Sequence, residues 1–177
     1  MKRQIIITSL LIAFMLTSCK TTIPTNDSIM PTLTVALSGD GVNINDLTID
    51  DIEFDTKAFY LKRNTQYTIL FSGKDAGGVE KVTWEYPTNN ITIIDPMPSN
   101  WSNDIASPGS TKIKSEGNSA DPRSSILFSN KFTAQNNPGQ DVTEILLKYT
   151  VKDFSGNLLS KQLRVFIGAG PTRIGPR

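Results

Sequence analysis

The 177-residue chain predicts an all-β protein, a sandwich of antiparallel strands. Two observations point to strands. Apolar side chains recur at every second position in short runs rich in β-branched and aromatic residues, and clusters of Gly, Asn, Asp and Pro separate those runs. A third observation points away from helices: no window of helical length shows a clean 3.6-residue period.

The elements follow in order. Leu33, Val35 and Leu37 alternate with polar or small residues until Ser38-Gly39-Asp40-Gly41 breaks the run. The segment 46–59 comes nearest to a helix and has room for one turn, although Ile49, Ile52 and Phe54 fit a strand as well. It carries the acidic cluster Asp46, Asp50, Asp51, Glu53 and Asp55. At strand spacing Asp51, Glu53 and Asp55 share one solvated face while Ile52 and Phe54 take the other, a pattern that protects a sheet edge. Tyr67, Ile69 and Phe71 alternate before the turn 72–78, and Val82, Trp84 and Tyr86 alternate before Pro87. Ile91 to Ile94 is a short β-branched run. Ile126, Phe128 and Phe132 share one parity; Ile145, Leu147, Tyr149 and Val151 alternate before the turn 153–157; and Leu163, Val165 and Ile167 close the series. About seven strands joined by turns predict two packed sheets.

Two positions refine the topology. Trp84 lies 15 residues after Ile69, on the next strand, and Tyr149 lies two residues before Val151, on the penultimate one. This pattern resembles the immunoglobulin fold, with its strand-C Trp and its Tyr two residues before the second inter-sheet Cys. Ile69 and Val151 stand where the two cysteines would be. The segments 75–82 and 149–157 are similar to the B–C and F–G turns of bacterial immunoglobulin-like and PKD-like surface modules. The resemblance covers roughly residues 31–168 and implies an immunoglobulin-like antiparallel β-sandwich domain over 32–168 in which both turns lie at one end. It implies no particular function, because this architecture hosts many unrelated roles.

Two stretches depart from the strand pattern. Residues 95–123 are rich in Ser, Asn, Pro and Gly and are expected to be a long loop insertion, a length usually tied to function or mobility. Residues 169–177, with Gly, Pro, Arg173 and Arg177, are expected to be a disordered tail.

The N-terminus carries a separate signal. Lys2 and Arg3 precede an apolar run from Ile5 to Leu16, followed by Leu16-Thr17-Ser18-Cys19. This order describes a secretory signal peptide over 1–18. About 12 apolar residues make roughly 18 Å of helix, too short for a hydrocarbon core of about 30 Å. Leu-Thr-Ser-Cys resembles the bacterial lipobox, which implies lipidation of Cys19 and attachment to a membrane through that lipid. Lys20 in place of Asp resembles the sorting pattern that permits outer-membrane delivery, so the expected location is the bacterial outer membrane or cell surface, with a periplasmic face left open. Residues 19–31, polar with two prolines, are expected to be a flexible tether of roughly 20 Å.

Composition narrows the chemistry. Cys19 is the only cysteine, so no disulfide staples the domain, and there is no histidine. His-based triads, His general bases, His metal ligands and, once Cys19 is lipidated, thiol nucleophiles are excluded. Losing Lys2 and Arg3 takes the formal charge from +1 to −1, so no basic stripe invites nucleic acid. An enzyme is not expected, nor a cofactor.

Candidate binding residues are few. Asp75 and Asp153 each follow a Lys and open a Gly-containing turn. Together they are candidate Ca²⁺ ligands, but one pair falls short of the six to eight oxygens Ca²⁺ takes, and each Asp also suits backbone N–H bonds within its own turn. No metal site is therefore expected. Trp101, flanked by Asn100 and Asn103 in the insertion, is the candidate contact for a partner protein or a glycan: its ring could stack on a ligand while the amides grip hydroxyls. The alternative is that Trp101 folds back over the sandwich edge. The sequence thus points to a lipid-anchored, non-catalytic binding, adhesion or structural module, or else to a glycan-binding accessory lipoprotein of an outer-membrane uptake or processing system.

Overall fold

The computed structural model describes residues 21–177. The signal segment and Cys19 lie outside the described residues. Twelve strands form two sheets: β1 (Thr32–Gly39), β2 (Thr48–Asp50), β3 (Lys57–Lys62), β4 (Thr65–Lys74), β5 (Val79–Pro87), β6 (Ile91–Ile93), β7 (Ser102–Asp104), β8 (Ser110–Glu116), β9 (Ser125–Ala134), β10 (Thr143–Asp153), β11 (Leu158–Gly168) and β12 (Arg173–Pro176). One sheet runs β2-β1-β4-β9-β6 and the other β12-β3-β11-β10-β5-β8-β7.

The six alternating runs are β1, β4, β5, β9, β10 and β11, and the short β-branched run is β6. In β9 and β10 every second residue is buried, so each strand gives one face to the core and one to solvent. Trp84 and Tyr149 are opposite one another in the β5–β10 pair. Their rings meet Phe71 of the facing sheet at 5.5 and 5.2 Å between centroids, and Phe71 stacks on Phe128 at 4.9 Å. Ile69 and Val151 belong to opposite sheets and are fully buried, but Val151 packs against Gly73, four residues along β4 from Ile69, so the two do not face one another as a disulfide pair would. Gly73 marks a close approach between the sheets: a Cβ there would lie 2.7 Å from Val82 Cγ2 and 2.9 Å from Val151 Cγ1.

Four expectations are corrected. First, the insertion 95–123 contains β7 and β8, which extend the seven-stranded sheet beyond β5. Lys81 of β5 holds this extension through Asp104, at 3.2 Å. Second, the tail is ordered. β12 pairs with β3, the Tyr60 hydroxyl donates to the Pro176 carbonyl at 2.8 Å, and the Arg173 guanidinium lies 4.1 Å from the centroid of the Tyr60 ring. Third, the acidic cluster does not share a strand face. The 3₁₀ turns Ile44–Asp46 and Asp51–Glu53 flank β2, which leaves Asp51 buried and Ile52 81% exposed while Phe54 is fully buried. Fourth, not every pair is antiparallel, because β3 runs parallel to β11.

The polar leader is not a free tether over residues 21–31. Pro31 is buried, the Asn157 amide donates to the Asp27 carbonyl at 3.0 Å, and Pro24 lies against Gly77. A Cβ on Gly77 would sit 2.5 Å from Pro24 Cδ and 3.0 Å from Asp27 Oδ2. The missing side chain is what lets the leader lie down there.

Candidate functional site

The B–C turn after β4 and the F–G turn after β10 come together at one end of the sandwich, and the leader crosses them. Each turn is built on its aspartate. Asp75 Oδ1 accepts the Gly77 N–H at 2.7 Å; Asp153 Oδ1 accepts the Asn157 N–H at 2.8 Å, and its Oδ2 accepts the Asn157 amide at 2.7 Å. Asp27 joins them, and one carboxylate oxygen from each of the three residues lies within 4.8 Å of the others. Asp75 and Asp153 are buried, Asp27 half-buried. Burial pushes the Asp75 carboxyl above the usual carboxylate range, the Gly77 N–H pulls it back, and the Asp153 and Asp27 carboxylates raise it further. Of all the described residues these three are the ones that could hold a metal ion. Three carboxylates already engaged by turn N–H and amide donors are a partial shell for Ca²⁺, whose remaining oxygens would have to come from backbone or water. The sequence points to Asp75 and Asp153; Asp27 sits in a polar leader with no period and gives no sign of its role.

Trp101 is corrected as a ligand platform. Its side chain is 5% exposed, its Nε1 donates to the Leu127 carbonyl at 3.1 Å, and its ring stands edge-on to Phe71 and Phe128 at 5.4 and 4.9 Å. A turn closed by the Trp101 N–H on the Pro98 carbonyl, 2.9 Å, drives the indole into the gap between the sheets. The fold-back alternative is the one realised. Asn103 lies in β7 opposite Ile113, exposed on the edge strand.

Asn100 alone of the three reaches a cavity. It lines an open, polar cleft of about 840 Å³ between the end of β8, the turn 117–124 and the start of β9, together with Ser115, Asn118, Asp121, Arg123 and Leu127. Asn100 Nδ2 lies 3.5 Å from Ser115 Oγ. Asn118 Oδ1 accepts the Ala120 N–H at 2.9 Å, which shapes the turn. Leu127 is half-exposed and puts an apolar patch among amides, hydroxyls, a carboxylate and a guanidinium. Such a mixture suits a hydroxyl-rich or peptide-like ligand. A smaller cleft of about 370 Å³, lined by Ile29, Met30, Lys74, Asp75 and Ala76, shares Ser124 and Ser125 with the first.

No family model matches the chain, and no curated protein matches it by sequence. Among solved structures it is similar to a non-cellulosomal cohesin from the hyperthermophilic archaeon Archaeoglobus fulgidus, with a TM-score of 0.36 and 12% identity over 62% of this chain and 90% of that one. It is also similar to the collagen-binding subdomain of the Enterococcus faecalis surface protein ACE, with a TM-score of 0.38 and 10% identity over 65% and 96%. A DUF4466 family protein from Parabacteroides merdae gives a TM-score of 0.35 and 8% identity over 82% and 45%. Likenesses this remote carry no argument about function; the immunoglobulin-like sandwich is defined by the chain's own two sheets.

Proposed function

We propose that the protein is a non-catalytic binding module, anchored through a lipid on Cys19 to the outer membrane or surface of a bacterium, with its ligand contact in the polar cleft beside Asn100. The cleft carries this proposal. It places Asn100, Asn118, Asp121 and Arg123 around one opening, with the half-exposed Leu127 as an apolar surface against which a ligand can lie. A glycan is a second ligand class supported by the same amides and hydroxyls, which would make the chain an accessory to glycan uptake or processing. The anchor rests on the residues Leu16-Thr17-Ser18-Cys19.

Two measurements test the proposal. Cys19→Ser removes the sulfur that would carry the lipid; the variant should leave the membrane fraction or accumulate uncut, and unchanged detergent-phase partitioning would refute the anchor. Partners crosslinked on intact cells, and a glycan array, should be lost together from an Asn100→Ala, Arg123→Ala double variant that still folds. A loss of about tenfold, roughly 1.4 kcal/mol, is expected. Full binding by the double variant would move the contact elsewhere on the sandwich.

A further inference from the structure

The leader is folded back over one end of the sandwich. Thr21 lies on the lip of the polar cleft. Cys19 precedes it by two residues, and two residues reach at most about 7 Å when extended. The rest of the leader is held: the Asn157 amide donates to the Asp27 carbonyl, Pro24 sits on Gly77, and Pro31 is buried ahead of β1. The span of a free 12-residue coil is therefore not available to lift the domain.

We propose that the end of the sandwich carrying the B–C turn, the F–G turn and the smaller cleft lies against the lipid headgroups, and that the opposite end points away. This rests on the anchoring of Cys19. The occupant of that surface is the headgroup layer itself. It meets Ile29 and Met30, which are 68% and 49% exposed, and Lys74 and Ala76 beside them in the smaller cleft. Isolated apolar side chains at a headgroup boundary lose water-exposed area, and a lysine stem can lie along them with its ammonium in the polar layer. The acidic groups of this end include Asp27, Asp75 and Asp153 at the turns as well as Glu116 and Asp121 in the larger cleft, so contact depends on the short reach of the anchor and not on attraction to anionic lipid. β4 runs from Thr65 at the far end to Lys74 at the near end, so Arg63 stands roughly 30 Å from the headgroups when the sandwich is upright.

Because Cys19 is the only cysteine and its sulfur is taken by the lipid, an introduced cysteine is the one free thiol. Lipidated Ala76→Cys and Arg63→Cys variants, each carrying a fluorophore on that thiol, are placed in phosphatidylcholine vesicles containing a headgroup-linked quencher. The Ala76 label should lose most of its emission and the Arg63 label should keep its own. A Gly-Ser spacer of about ten residues inserted after Lys20 adds roughly 18 Å of reach and should restore the Ala76 emission. Equal emission from the two labels, stronger quenching at Arg63, or no effect of the spacer would overturn the orientation while leaving the anchor intact. If the full-length protein as expressed carries no lipid on Cys19 and does not float with the vesicles, the anchor is refuted, and the orientation with it.

Discussion

Two buried side chains show how individual polar groups tune stability. The Tyr149 hydroxyl is buried with no hydrogen-bond partner among the described residues, and burial pushes its pKa well above the ordinary tyrosine value. An unsatisfied buried hydroxyl costs about 1 to 3 kcal/mol. Tyr149→Phe keeps the ring against Phe71 and is expected to match or exceed the wild type in urea; a loss above about 1 kcal/mol would place an ordered water on that hydroxyl. At Asp75 the raised pKa means that the folded state holds the proton more tightly than the unfolded chain. Its favourable contribution is complete below the unfolded pKa and is lost as pH rises through the folded one. At neutral pH the charged carboxylate is therefore a burden. Asp75→Asn keeps an acceptor for the Gly77 N–H and removes the charge, so the melting temperature should rise at neutral pH, with the difference from wild type vanishing in acid. A lower melting temperature at neutral pH would put a cation among the three carboxylates.

The elements show where periodicity is readable and where it is not. β1, β4, β5, β9, β10 and β11 alternate in the sequence because each gives one face to the core. β3 does not, since the consecutive residues Ala58 and Phe59 are both buried and Leu61 is buried after them. β8 carries one apolar core residue, Ile113, and β7 none, because both are stitched on by backbone pairing and by Lys81. β12 is held by pairing and by Arg173 on Tyr60, neither of which leaves an apolar period. For the site, the Asp75 and Asp153 turns were legible from Asp-Gly spacing, whereas Trp101 was misplaced because an aromatic among polar neighbours looks the same whether it faces out or plugs a gap. Its burial makes the insertion a structural element: Trp101→Ala should cost about 3 to 5 kcal/mol in chemical denaturation. A change below about 1 kcal/mol would mean that the indole is not wedged between Phe71 and Phe128.

At the scale of the molecule, the last strand finishes the larger sheet. β12 covers β3, the Thr172 hydroxyl donates to Asp40 at 3.0 Å, and Arg177 donates to Asp55 at 3.2 Å, so the final residues bind regions more than a hundred positions earlier. Ending the chain at Gly170 would bare the outer edge of β3, a row of unpaired N–H and C=O groups. Such a truncation is expected to lower the melting temperature and to promote self-association visible in sedimentation. A monomer of unchanged stability would show that β12 is decoration.

The parallel pairing of β3 with β11 sets the timing of folding. Phe59 pairs with Val165 and Leu61 with Ile167, so β3 waits for a partner made 106 positions later. Loops this long must close before their contacts repay the lost entropy, and sandwiches dominated by such contacts fold in milliseconds to seconds. A chain emerging N-terminus first would present β3 unpaired until β11 has emerged. The hairpin of β10 and β11 is local and can form as soon as it emerges, and it supplies the β11 edge on which β3 pairs.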